Sequence, residues 1–128
     1  MKFLLDTHVL IWAIDTPNQL SLKVRKALVD ESNELYVSVV SLWEIALKVQ
    51  AGKLNFPDDP SFLEGHLRSL GIKSYLQLGL FHVYQLAKLP ILHKDPFDRI
   101  LLAQAMVEGW TFVTKDRNLS AYPVKTFW

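Results

Sequence analysis

The stretch Lys2-Phe3-Leu4-Leu5-Asp6-Thr7-His8-Val9-Leu10-Ile11-Trp12 decides how the rest of the chain is read. Residues 2–5 form a short apolar run that ends at a carboxylate. After it, Val9, Leu10, Trp12 and Ala13 fall at helical spacing, so the segment predicts a strand, an acid at its carboxyl end, and a helix. Pro17 breaks this pattern. Ser21 then caps a helix expected to reach about Asp30, burying Leu22, Val24, Ala27 and Leu28 and turning Lys23, Arg25 and Lys26 outward.

The same alternation continues outward from this unit. Residues 35–40, apolar and β-branched, predict a buried strand, and Ser41 is expected to start a helix burying Leu42, Ile45, Ala46 and Val49, with Gly52 as its stop. A loop rich in Pro and Asp spans 55–60. Ser61 followed by Glu64 has capping-box spacing and opens a helix ending at Gly71. A strand over 72–76, a helix over 80–89 closed by Pro90, a helix starting at Pro96 and ending at Gly109, and strands over 110–114 and 124–128 complete the chain. Strands that alternate with helices predict an α/β fold with a mostly parallel sheet covered on both faces.

With 128 residues, half of them hydrophobic, the chain is long enough for one core and too short for two, so one domain over residues 1–128 is expected. Lys and Arg number 14 against 13 Asp and Glu, a balance that by itself does not advertise a polyanionic partner. Any neutralised acids would leave a clearly positive surface. No cysteine is present, which excludes thiolate zinc sites and cysteine nucleophiles and agrees with a cytoplasmic protein. The apolar start is interrupted at Asp6 and lacks a small-residue cleavage site, and no run reaches the ~18 apolar residues of a membrane span.

In open parallel sheets, ligands lie beyond the carboxyl ends of the strands. Asp6, Glu44 and Asp116 follow the first, second and fourth predicted strands, and Asp98 lies in the first turn of the helix opened by Pro96. Two unit charges about 4 Å apart interact by about 4 kcal/mol at a surface-like dielectric, so four such acids would bind protons or recruit a cation. Oxygen ligands without cysteine or clustered histidine suit Mg²⁺ or Mn²⁺, ions used in phosphodiester chemistry. Each acid alone also has a structural explanation: Glu44 stands three after Ser41, Asp98 three after Asp95, and Asp116 sits in a turn-like KDRN. Their order along the chain favours a joint site.

At these residues the chain resembles the PIN-domain ribonucleases, specifically the VapC-type toxins of toxin–antitoxin pairs. The resemblance runs through FLLDTHVLIW (3–12), SLWEIALK (41–48), DPFDRILLAQA (95–105) and FVTKDRNL (112–119), the first and third being the most specific. It implies a PIN-like three-layer α/β/α fold and a Mg²⁺- or Mn²⁺-dependent endoribonuclease. Its site acids would be Asp6, Glu44, Asp98 and Asp116, with Asp6 and Asp98 as direct ligands and Thr114 orienting water. It also implies a structured RNA substrate of the tRNA or rRNA class, a cognate antitoxin, and a homodimer.

Arg99, Lys115 and Arg117 are candidate RNA-backbone contacts because they adjoin the acids, with ion pairing and solvated turn charges as the alternatives. His8, His66, His82 and His93 lack the paired spacing of a zinc helix and are expected in ordinary polar roles, with substrate contact a secondary option for His8 and His93. Trp12, Trp43 and Trp110 fit apolar patterns of core or interface. Two rival readings are a noncatalytic interaction module and a phosphotransfer domain. The latter wants a second acid two residues after the first, where this chain has His8.

Overall fold

The computed structural model describes residues 1–57 and 59–128, so Asp58 of the expected 55–60 loop lies outside the described residues. Among the described residues five strands, β1 (Lys2–Leu5), β2 (Glu34–Ser38), β3 (Ile72–Leu76), β4 (Thr111–Val113) and β5 (Thr126–Phe127), alternate with six helices. The helices are α1 (Thr7–Asp15), α2 (Leu22–Val29), α3 (Val39–Gln50), α4 (Pro60–Ser69), α5 (Leu80–Lys88) and α6 (Pro96–Glu108). Short 3₁₀ turns occupy Pro17–Gln19 and Arg117–Ala121.

Local chemistry explains where the boundaries differ from those read in the sequence. The second strand stops at Ser38 because its hydroxyl accepts from the backbone N–H of Val40 at 3.0 Å, a helix cap that overrides the strand preference of Val39 and Val40. Ser41 is therefore inside α3, and Glu44 is not the partner in a capping box. Asp59, not Ser61, caps α4 by accepting from the Ser61 N–H at 3.0 Å, and Glu64 pairs with Arg68 instead. Leu22, expected in the core, is 60 % exposed. It stands two residues before the buried Val24, which places it about 200° round the helix from that face. Ala46, also expected inside, is exposed at the edge of the face formed by Leu42, Ile45 and Val49. Gly109 closes α6 with φ +71, a left-handed conformation that glycine adopts without Cβ strain.

The strands form one sheet in the order β3-β2-β1-β4-β5, and every pairing is parallel. Alternate side chains of the central strands serve two cores. Phe3, Leu5, Leu35, Val37 and Val113 pack with Val9, Leu10, Val24, Ile45 and Leu67 of α1 to α4. Leu4, Tyr36 and Phe112 pack on the other face with Leu101, Leu102 and Ala105 of α6 and with Leu89. The result is the three-layer α/β/α arrangement expected from the alternating pattern.

The chain leaves β1 toward β2 and β3, then returns to the opposite side of β1 to form β4 and β5. That reversal between β1 and β4 opens a crevice at their carboxyl ends, the place where doubly wound sheets bind ligands. The Asp6 N–H donates to the Val113 carbonyl at 3.0 Å and fixes the two strand ends side by side.

Candidate metal centre

Asp6 stands at the floor of the crevice. It is the N-terminal boundary residue of α1, yet its side chain makes no capping hydrogen bond, so the carboxylate is free to point across the crevice. One oxygen, Oδ2, accepts from the Thr114 hydroxyl at 2.8 Å. The other, Oδ1, is buried with no hydrogen-bond partner among the described residues. Thr114 is thus the orienter of a carboxylate. The same hydroxyl accepts from the Asp116 N–H at 3.1 Å and ties the turn after β4 to β1.

Glu44 is brought to the same place by the early start of α3, which puts it in the second helical turn, only 5 % exposed. Thr7 of α1 donates its hydroxyl to the Ser41 hydroxyl at 2.9 Å, one turn away from Glu44, pinning the two helices together. Glu44 Oε2 lies 3.4 Å from Lys48 Nζ, and Oε1 is buried without a partner among the described residues.

Asp98 sits in the first turn of α6, whose cap is Asp95: its Oδ1 accepts from the N–H groups of Phe97 and Asp98 at 2.8 and 3.3 Å. With Asp95 holding the helix end, the Asp98 side chain is released from capping. Its pKa is pushed up to about 8, first by burial and then by the charges of Asp6, Asp95, Glu44 and Asp116. Asp6 is also raised, chiefly by burial, against the lowering effect of the Thr114 hydrogen bond. Asp98 thus lies close enough to Asp6, Glu44 and Asp116 to feel their charges.

Asp116, at the outer rim, receives a hydrogen bond that composition did not advertise. Its Oδ2 lies 3.0 Å from His93 Nε2, which is also 3.6 Å from Asp98 Oδ2. Atoms of His93, Asp98 and Asp116 with ligand chemistry all lie within 4.8 Å of one another. However, His93 Nδ1 accepts the Asp95 N–H at 3.1 Å, so the ring proton belongs on Nε2. A protonated Nε2 donates to carboxylates and has no lone pair for a cation. The His93 loop is held in turn by the Tyr122 hydroxyl, which accepts from the N–H groups of Leu92 and His93 at 3.0 and 2.9 Å.

Leaving anionic oxygens buried and bare costs several kcal/mol each unless a cation is supplied. The bare oxygens of Asp6 and Glu44, together with Asp98 and Asp116, are hard donors, and the residues present therefore fit a hard divalent cation.

The neighbouring cations stand in different surroundings. Arg99 is half-buried and donates from Nη2 to the Leu89 carbonyl at 3.2 Å, while its Nε is buried without a partner. The bond ties α6 to the loop before it, and the guanidinium group, only half-buried, pairs with no acid among the described residues. Lys115 and Arg117 are exposed, Lys115 with its ammonium 5.7 Å from the centre of the Trp12 ring. Sequence reasoning gave His93 only a secondary part and passed over Asp95 and Lys48. The one available signal was the pair His93 and Asp95 just before Pro96, polar residues with fixed offsets from a helix start.

The PIN domain family matches residues 3–125 of the chain. Ribonuclease VapC22 of Mycobacterium tuberculosis is 31 % identical over 123 residues, covering 93 % of this chain and 90 % of the relative. Among solved structures, VapBC2 from Rickettsia felis bound to a DNA fragment from their promoter contains a chain that superposes with a TM-score of 0.74 at 16 % identity, covering 99 % of this chain and 98 % of that one. FitAcB from Neisseria gonorrhoeae superposes with a TM-score of 0.62 at 19 % identity, covering 98 % and 96 %. The chain therefore belongs to the PIN-domain family and, within it, to the VapC ribonucleases.

Proposed function

We infer that this chain is an endoribonuclease that hydrolyses RNA phosphodiester bonds with a divalent cation, Mg²⁺ or Mn²⁺, as the toxin of a toxin–antitoxin pair. The observation that carries this reading is the convergence of Asp6, Glu44, Asp98 and Asp116 at the sheet's switch point, with two carboxylate oxygens buried and bare. Bound there, the cation supplies Lewis acidity toward a phosphoryl oxygen and makes water a better nucleophile near neutral pH. Asp6 and Asp98 are proposed as its direct ligands, with Glu44 and Asp116 completing the acidic set. Thr114 keeps Asp6 in its rotamer, and His93 directs Asp116. Lys115 and Arg117 are proposed to meet the RNA backbone outside the acids.

The substrate is proposed to be a structured RNA of the tRNA or rRNA class, with a cognate antitoxin as silencing partner, by analogy with the toxin–antitoxin complexes to which the chain is similar. We further propose that residues 1–128 act as one catalytic domain, as a homodimer in the cytoplasm. No helix among the described residues is long and apolar enough to cross a membrane. A phosphotransfer reading loses support because His8 stands where a second acid is needed, and a noncatalytic module would have no use for the bare buried oxygens.

The purified protein should cut tRNA or rRNA in Mg²⁺ or Mn²⁺ and stop in EDTA, with the new ends mapped by sequencing both in vitro and in cells expressing the protein without antitoxin. Unchanged RNA in all of these arms would remove the reading. His93 has its own expected result: His93→Phe should slow cleavage by roughly 10- to 100-fold, the usual cost of losing a hydrogen bond that orients a ligand, and His93→Gln should recover part of it by restoring an N–H donor. Equal rates for the two variants would remove the orienting role.

A further inference from the structure

The acidic centre repels the very polymer it is proposed to cut. Asp98 alone feels four neighbouring carboxylates, and a cation at the centre offsets only part of that charge. An RNA strand therefore needs a positive flank beside the acids.

One cleft supplies it. A cavity of about 530 Å³ adjoins the centre, lined by Glu44 and Asp95 on the acidic side and by Lys48, Lys53 and Lys94 around it. Its remaining wall is apolar and includes Leu47, Pro96 and Phe97. The Phe97 ring is met edge-on by Trp43 at 5.0 Å, and Trp43 is 57 % exposed although it belongs to an otherwise apolar stretch of α3. Cationic side chains and the Phe97 ring in one lining, with the exposed Trp43 packed against that ring just beyond it, match the two parts of a nucleotide, phosphate and base. The volume lies within the range of small-ligand sites and is ample for one nucleotide.

Resting on the ribonuclease reading, we propose that this cleft is a subsite for one nucleotide of single-stranded RNA adjoining the scissile bond. Lys53 and Lys94 hold its phosphate, and Phe97 with Trp43 receives its base. Lys48 joins the subsite to the centre. Its ammonium lies 3.4 Å from Glu44 Oε2, so it neutralises the one acid that belongs to both the cleft and the cluster. The side chains of Lys53 and Lys94 are exposed and make no hydrogen bond or ion pair among the described residues, and the Lys53 N–H bond to the Lys48 carbonyl survives substitution by alanine, which makes their replacement a clean test.

The test uses the full chain and a fluorescein-labelled single-stranded RNA 15-mer of mixed sequence. Binding is read by anisotropy in Mg²⁺ on an Asp98→Asn background, which spares the RNA, and cleavage is read under single-turnover conditions with Asp98 intact. The double variant Lys53→Ala, Lys94→Ala should weaken binding roughly tenfold at low salt. The plot of log affinity against log salt should become shallower by about 0.7, the share of one neutralised phosphate on a single strand. Cleavage should slow at subsaturating protein and recover at saturation, since the chemistry is untouched. Trp43→Ala should weaken binding and leave the salt slope unchanged. A control pair, Lys26→Ala with Lys73→Ala, removes the same charge from exposed positions away from the cleft and should change little. If the two double variants behave alike while the wild type cuts RNA, the subsite is wrong and the ribonuclease reading stands. A wild type that cuts neither the 15-mer nor tRNA or rRNA overturns both, and one that cuts tRNA or rRNA but neither binds nor cuts the 15-mer overturns the subsite alone.

Discussion

Asp98→Asn should abolish RNA cleavage and at the same time raise the melting temperature of the metal-free protein. Removing one unit charge about 4 Å from a bound cation is worth about 4 kcal/mol at a surface-like dielectric, which corresponds to roughly a thousandfold in rate. The effect on stability has the opposite sign because in the metal-free fold Asp98 is a buried carboxyl facing four others. Lifting its pKa from 3.8 to about 8 sets a ceiling of about 5–6 kcal/mol, which solvent screening at a side chain still 11 % exposed reduces to about 2–3 kcal/mol. Against this, an acid in the first turn of α6 gains about 0.3–1 kcal/mol from the helix dipole, and asparagine forfeits it. The repulsion wins. Asp95, which makes the cap, is untouched by the substitution, so the helix start survives. A gain of roughly 4–8 °C by calorimetry in EDTA is expected, together with loss of cleavage in Mg²⁺. A variant that melts lower than wild type would show Asp98 to be structural, and one that cuts RNA normally would remove it from the centre.

The fold was readable from hydrophobic periodicity because strands and helices here have different periods and clear punctuation. Lys2–Leu5 and Ile72–Leu76 are bounded by an acid and by glycine, and their predicted limits coincide with the observed ones. Where the limits slipped, a side-chain hydrogen bond decided the matter. Val39 and Val40 have strand preference, but the Ser38 hydroxyl reaching the Val40 N–H turns them into the first turn of α3. Strand order was beyond periodicity altogether, since it depends on which side of β1 the chain returns to after α6.

The candidate site was legible in its acids and not in the groups that aim them. Asp6, Glu44, Asp98 and Asp116 could be singled out because each follows a strand or opens a helix on the same side of the sheet. Whether a helix-start acid caps or points away is a rotamer question. Asp95 caps and Asp98 does not, although both stand at the start of the same helix. His93 reaches the acids through a loop whose shape depends on Tyr122, 29 residues further along, and no local pattern encodes that contact. Arg99 carried a phosphate-like signal by adjacency alone, and its bond to the Leu89 carbonyl is a contact that adjacency could not foretell.

Without divalent cation, the protein should lose stability as pH rises from about 5 to about 8.5, and Mg²⁺ should remove most of that loss. A carboxyl whose pKa is higher folded than unfolded holds its proton more tightly in the fold. It contributes fully below its unfolded value near 3.8, and the contribution disappears as pH rises through the folded value. For Asp98 the decline ends near its pKa of about 8, and Asp6 is displaced in the same direction, chiefly by burial. The exposed carboxyls of Asp30 and Asp59 act oppositely. Hydrogen bonds from Ser32 and Ser61 lower their pKa values, so their contribution holds above the unfolded value and is lost as pH falls through the folded one. The metal-free curve should therefore peak in mild acid. A cation competes with protons for the same oxygens, so it binds weakly at the peak and strongly on the alkaline side. At a concentration about a hundredfold above its Kd it stabilises by about 2.7 kcal/mol, enough to offset the loss assigned to Asp98. Thermal melts at pH 5.5 and 8.5, in EDTA and in 10 mM Mg²⁺, should show a large Mg²⁺ shift at the higher pH and a small one at the lower. Equal shifts at both, or a metal-free melting temperature that climbs steadily to pH 8.5, would mean that these acids do not share a cation.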